Sequence, residues 1–132
     1  MVQLMEHPQL FDAGDPLVER IRAIAMRLPE AVETVNHGRP SWKAGEAGRA
    51  FAVLGASMDR TDTLVFKPDP AEAPAWRQDA RVFVPKYWGP SGWLAIELDR
   101  AADDWSETAE LIETSYRQVA LRRQLAVLDA VM

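Results

Sequence analysis

The feature that most constrains this chain is a change of hydrophobic period near its middle. Between Val32 and Lys67 the apolar residues alternate with a period of two, in four short runs separated by turn signals. Val32 to His37, Ser41 to Ala44, Arg49 to Leu54 and Asp62 to Lys67 are read as strands. In the third, Phe51 and Val53 alternate with Ala52 and Leu54; in the fourth, Leu64 and Phe66 alternate with Val65 and Lys67. His37-Gly38-Arg39-Pro40, Gly45-Glu46-Ala47-Gly48 and Ser57 to Arg60 supply the turns. Short strands with short turns imply an antiparallel meander.

Helical spacing flanks this block. Asp15-Pro16 is a helix start, since Asp caps the exposed N–H groups and Pro suits the first helical position. Leu17, Val18, Ile21, Ile24, Ala25 and Leu28 follow at helical spacing, and Pro29 ends the run. After the meander, Pro68-Asp69-Pro70 is a break, and Ala71 to Gln78 reads as a short helix carrying Trp76. Arg81 to Pro85 and Trp93 to Leu98 read as two more strands. Asp104 with Glu107 three residues on opens a last helix, with Trp105, Ala109, Ile112, Tyr116 and Val119 as its stripe. Leu121, Leu125 and Leu128 extend the apolar pattern into a second helix after a bend. The expected fold is α+β: an antiparallel sheet of about six short strands with an N-terminal helix and C-terminal helices on one face. Residues 1–14 read as an irregular lead-in, and 15–132 as a single domain.

Composition narrows the functional classes. The 132 residues are 48% hydrophobic, enough for an ordinary core. There is no cysteine, which excludes disulfides, thiolate catalysis and Cys-ligated metals. No apolar stretch has the length of a membrane span, and Glu6 and Pro8 interrupt any leader-like run. A soluble cytoplasmic protein without a membrane partner is expected. The net charge of −5 disfavours non-specific binding to nucleic acid. The charge is uneven, however. Seven acids and one base lie between Glu97 and Glu113, whereas Arg117 to Arg123 holds three bases and no acid.

Several segments, in order, resemble one family. They are Leu28-Pro29-Glu30-Ala31-Val32-Glu33-Thr34, His37-Gly38-Arg39-Pro40-Ser41-Trp42-Lys43, Phe51-Ala52-Val53-Leu54, and Leu64-Val65-Phe66-Lys67-Pro68-Asp69. Val82 to Pro90, Gly92-Trp93-Leu94 and Leu98-Asp99 follow, and then Ser115-Tyr116-Arg117-Gln118-Val119-Ala120. Together they span roughly residues 16–128 and resemble the MmcQ/YjbR family of small bacterial proteins. The stretch from Val84 to Trp93 follows a Val-Pro-x-Tyr-x-Gly-Pro-x-Gly-Trp branch of that pattern instead of its His-Met-Asn-Lys version. The resemblance implies a compact fold described as CyaY-like. It also implies DNA binding, the label that family commonly carries.

Catalytic motifs are not recognisable. Gly45-Glu46-Ala47-Gly48 lacks the Lys-Ser/Thr ending of a phosphate loop, and there is no Gly-x-Ser-x-Gly elbow. His37 is the one histidine inside the expected domain, and as a general base it would need a partner that spacing does not supply. Asp103, Asp104 and Glu107 read as an acidic helix start rather than a cation site. No cofactor or metal is expected, and the chain reads as a binding module, not an enzyme. The candidate site is a basic and aromatic set: Arg39, Trp42, Lys43, Arg49, Lys67, Lys86, Tyr87, Trp88 and Trp93. Cations contact phosphates and aromatic rings stack on bases. The first partner expected is therefore DNA. The alternative is a protein or small anionic ligand held in an aromatic pocket lined by Trp42, Tyr87, Trp88 and Trp93.

Overall fold

The computed structural model describes residues 9–86, 88 and 91–130. Tyr87, Gly89-Pro90 and the first eight residues of the lead-in lie outside that range. The elements are α1 (Pro16–Ala25), β1 (Ala31–Asn36), β2 (Arg39–Ala44), β3 (Ala50–Leu54), β4 (Thr63–Phe66), α2 (Ala73–Arg77), β5 (Val82–Phe83), β6 (Leu94–Glu97), α3 (Trp105–Val119) and α4 (Arg122–Ala130). The six strands form one sheet in the order β1-β2-β3-β4-β6-β5, with every pairing antiparallel. The first four are the expected meander. After α2 the chain adds β5 at the far edge and then returns, so that β6 lies between β4 and β5.

Helix starts follow the residues that cap them. The Asp15 carboxylate accepts from the Leu17 N–H at 2.9 Å, and Asp104 accepts from the Glu107 N–H at 3.1 Å. Glu107 does not close a capping box. Its carboxylate instead receives Arg81 Nη1 at 2.8 Å, and Arg81 also holds Asp79 at 2.7 Å. This three-membered ion pair fastens the entry to β5 onto α3. Asp103 accepts from the Thr108 hydroxyl at 2.6 Å. The three acids of this helix start are thus used locally.

The helices cover one sheet face. Trp42, Leu54, Leu64, Phe66, Leu94 and Ile96 turn towards Leu17, Val18, Ile21, Leu111, Ile112, Tyr116 and Leu128 in one buried cluster. The stripe of α3 differs from expectation: its buried residues are Thr108, Leu111, Ile112, Ser115 and Tyr116, while Trp105 is half-buried and packs under the Arg20 guanidinium at 4.8 Å. The other sheet face carries a row that runs across all six strands: Thr34, Ser41, Val53, Val65, Ala95 and Phe83. Val53, Val65 and Ala95 in that row are buried beneath Trp88, Trp93 and Phe83.

The sheet is locked to the helices at a bulge. Trp42 pairs with Ala52 and Lys43 with Ala50, so Phe51 is an extra residue in β3. Its ring turns inward onto Tyr116, edge to face, with centroids 5.2 Å apart. The fully buried Ser115 hydroxyl donates to the Phe51 carbonyl at 2.5 Å and accepts from the Lys67 N–H at 2.8 Å. Tyr116 donates to the Pro29 carbonyl at 2.7 Å.

Ser115→Ala removes the hydrogen bonds to the Phe51 carbonyl and from the Lys67 N–H. It is expected to lower unfolding stability by roughly 2–4 kcal/mol, read as a shift of the denaturation midpoint at constant slope. Acid should act through Asp79. The side-chain bond from Arg81 lowers its pKa from 3.8 to about 2. A carboxylate depressed on folding stabilises fully above its unfolded pKa. That contribution disappears as pH falls from about 4 to about 2. The stability difference between the wild type and Asp79→Asn, followed by pH-dependent unfolding, should shrink across that window.

Candidate functional site

A cavity of about 720 Å³ opens on the sheet face away from the helices. It lies where two hairpin ends meet. The β1–β2 hairpin turns through His37 and Gly38, both at positive φ (51° and 83°), and pairs Asn36 with Arg39. That is the geometry of a two-residue type I′ turn; Gly adopts it freely and His more readily than most residues. The hairpin presents Asn36, His37 and Arg39 to the cavity. The β3–β4 connection contributes Gly55, Ala56, Ser57 and Met58, the last of these 76% exposed. Val53 forms part of the wall, as do Lys86 and Trp88 and, from the lead-in, Leu10. The Leu10 N–H donates to the Gly38 carbonyl at 2.8 Å, which pins the lead-in against the turn.

Arg39 joins the two hairpins. It is only 9% exposed, and its Nη2 donates to the Ser57 carbonyl at 3.0 Å. Gly55 makes room for it. With φ at +99°, a Cβ on Gly55 would meet Arg39 Cδ at 3.1 Å. The Gly55 N–H donates to the Thr63 carbonyl at 2.7 Å, and the Ala56 N–H to the Thr63 hydroxyl at 2.8 Å. The Gly55 and Ala56 backbone donors are therefore engaged within the fold.

The expected site residues separate into several places. Arg39, Lys86 and Trp88 share the cavity. Trp93 is half-buried beside it and meets Trp88 edge to face, with centroids 5.4 Å apart. Trp42 must be corrected: it is fully buried in the helix-side core, and its indole N–H donates to Glu33 at 3.0 Å. Its apolar ring turns to the core because Ser41 and Lys43 take the opposite face of β2. Glu33 also receives Arg22 through two bonds, at 2.7 and 3.0 Å, and Arg22 holds its carboxyl below the usual range. Lys43 lies on the same sheet face as Ser41 and donates to the Glu46 carbonyl at 2.6 Å in the opposite turn. Lys67 stands one residue beyond β4, half-buried. Arg49 is exposed and borders a different cavity, of about 380 Å³, with Glu30, Val119 and Arg123. Tyr87 lies outside the described residues.

Other arginines are consumed structurally. Arg100 pairs with Asp15 and Asp62, each at 2.7 Å, and so ties the start of α1 to the strand ends. Arg117 pairs with Asp129 at 2.8 Å, and Arg123 with Glu30. Among the described residues no group of three or more His, Cys, Asp or Glu is placed to hold a metal ion. No helix among them is long and apolar enough to cross a membrane.

Reading the sequence for cations and aromatic rings misses Leu10, Asn36, Val53 and the Gly55–Met58 segment. The one available signal was Met58, a large apolar residue inside a polar turn.

A small sheet-and-helix domain with a ligand-sized cavity between its hairpins is the class that this geometry defines. Residues 26–118 match the YjbR family model, and the chain belongs to that family. The fold is similar to the crystal structure of Deinococcus radiodurans protein DR2400, whose domain is described as DUF419. The TM-score is 0.63 and the identity 23%, with 75% of each chain covered. At that identity the likeness is one of fold. No curated protein matches the chain.

Gly55→Ala should strain the positive-φ backbone and push Arg39 off Ser57. A loss of roughly 1–3 kcal/mol in chemical unfolding is expected.

Proposed function

We propose that this protein is a non-enzymatic module that binds a small anionic organic ligand in the cavity between its two hairpin ends. The observation that carries this reading is the make-up of the wall. Arg39 and Lys86 bring positive charge, Trp88, Val53, Leu10 and Met58 bring apolar surface, and no described lining residue is acidic. The volume lies within the range of small-molecule sites, and a few polar groups in a mainly apolar hollow are their usual composition.

DNA binding, the family's usual label, draws less support. A duplex is held by several cations along one track. Here Arg39 and Lys86 face the cavity, Lys43 bonds the opposite turn, and Arg49 borders another cavity. The net charge of −5 works in the same direction.

The test is amide and indole NMR of the full chain, titrated with a panel of organic carboxylates, phosphates and sulfonates and, separately, with a DNA duplex at low salt. At least one small anion is expected to shift Gly55, Ala56 and the Trp88 indole, and Lys86→Ala should weaken it. A cavity silent across the panel overturns the reading, whether or not DNA binds.

A further inference from the structure

Resting on the ligand-binding reading just given, we infer that the occupant is an amphipathic monocarboxylate: one carboxylate head on an aliphatic or aromatic body. Three observations select this class over phosphates and nucleotides.

The first concerns backbone donors. Phosphate sites are typically built from several backbone N–H groups aimed at one point. In this wall the Gly55 and Ala56 N–H groups are both engaged by Thr63, at 2.7 and 2.8 Å. At the hairpin turn, Gly38 offers its carbonyl, and Leu10 already occupies it. Those two donors are not aimed at the cavity, and the charge on its wall comes from the Arg39 and Lys86 side chains.

The second concerns the chief cation. Arg39 is buried and held in place by one bond, from Nη2 to Ser57. A guanidinium has five N–H donors in a planar fork, and a carboxylate matches that fork with two parallel bonds. One pre-positioned fork plus Lys86 suits a single negative head. A triphosphate would bring far more charge than these two cations can balance.

The third concerns the remaining wall. Leu10, Val53, Ala56, Met58 and Trp88 supply apolar lining to the cavity that the two cations share. Trp88 is held edge to face against Trp93 at 5.4 Å, so its ring is a fixed surface for a flat or chain-like body. Met58 is 76% exposed at the hairpin tip, where its flexible thioether can fold over whatever enters. A bare inorganic anion would leave this surface without a partner.

The experiment is calorimetry and tryptophan fluorescence on the full chain with five probes: decanoate, 2-naphthoate, decanol, inorganic phosphate and ATP. Decanoate or naphthoate should bind and change the emission, and Trp88→Phe should remove most of that change. Decanol should bind at least tenfold more weakly than decanoate. Lys86→Met should weaken the carboxylates about tenfold while leaving decanol unchanged. Lys86 is exposed, so this variant keeps the test usable if Arg39→Met fails to fold. If phosphate or ATP binds in the cavity and the carboxylates do not, the inference is overturned while the ligand-binding reading stands. Decanol binding as tightly as decanoate, or carboxylate binding indifferent to Lys86→Met, also overturns it. If none of the five binds and the broader anion panel is equally silent, the ligand-binding reading itself fails.

Discussion

The Ser115 hydroxyl holds the architecture together at the place where its sheet is irregular. A bulge leaves one backbone carbonyl out of the ladder, and such a group inside a core costs free energy unless something bonds to it. Ser115 meets that carbonyl on Phe51 and simultaneously accepts from Lys67, one residue beyond β4. The bulge turns the Phe51 ring into the helix layer against Tyr116, whose hydroxyl reaches back to the loop before β1. A helix, two strands and a loop are thus fixed by two adjacent residues of α3. The Ser-Tyr pair of the family pattern has a structural reason to be there.

That lock has consequences on the far side of the sheet. With the register of β2 and β3 settled, Arg39, Ser41, Val53 and Gly55 all fall on the face opposite the helices. The hairpin ends at 37–38 and 55–62 then lie side by side, and Arg39 spans them to Ser57. The cavity is a by-product of sheet register: two tight turns leave a hollow that no helix fills. The segment carrying Trp88 and Trp93 covers only the Val53–Val65–Ala95 part of this face, and the hollow remains beside it. Charge follows the same division. Arg22, Arg81, Arg100, Arg117 and Arg123 pair with acids, while the Arg39 guanidinium donates to a carbonyl.

Much of the fold was legible residue by residue. Asp15-Pro16 and Asp104 announced their helices because capping is local chemistry. Leu64, Phe66, Leu94 and Ile96 announced their faces because alternation by two is local geometry. The failures were non-local. Trp42 reads as a binding aromatic from its neighbours Arg39 and Lys43, yet its face is set by pairing with Glu33 and Ala52. The α3 stripe was misplaced because Thr108 and Ser115 look polar in sequence. They are buried where specific acceptors, Asp103 and Phe51, await them.

From the sequence alone follow the class of fold, the order of its elements, the family pattern and the limits set by charge and missing cysteine. All of these rest on periodicity, capping and composition, which act over a few residues. Only the tertiary structure decided which cations share a cavity and which serve the scaffold. Arg39, Lys86 and Trp88 are separated by nearly fifty positions, and Lys43 and Arg49 lie closer in sequence to Arg39 than Lys86 does. Strand register and the return of β6 between β4 and β5 bring the distant residues together and send the nearer ones to the opposite end of the sheet.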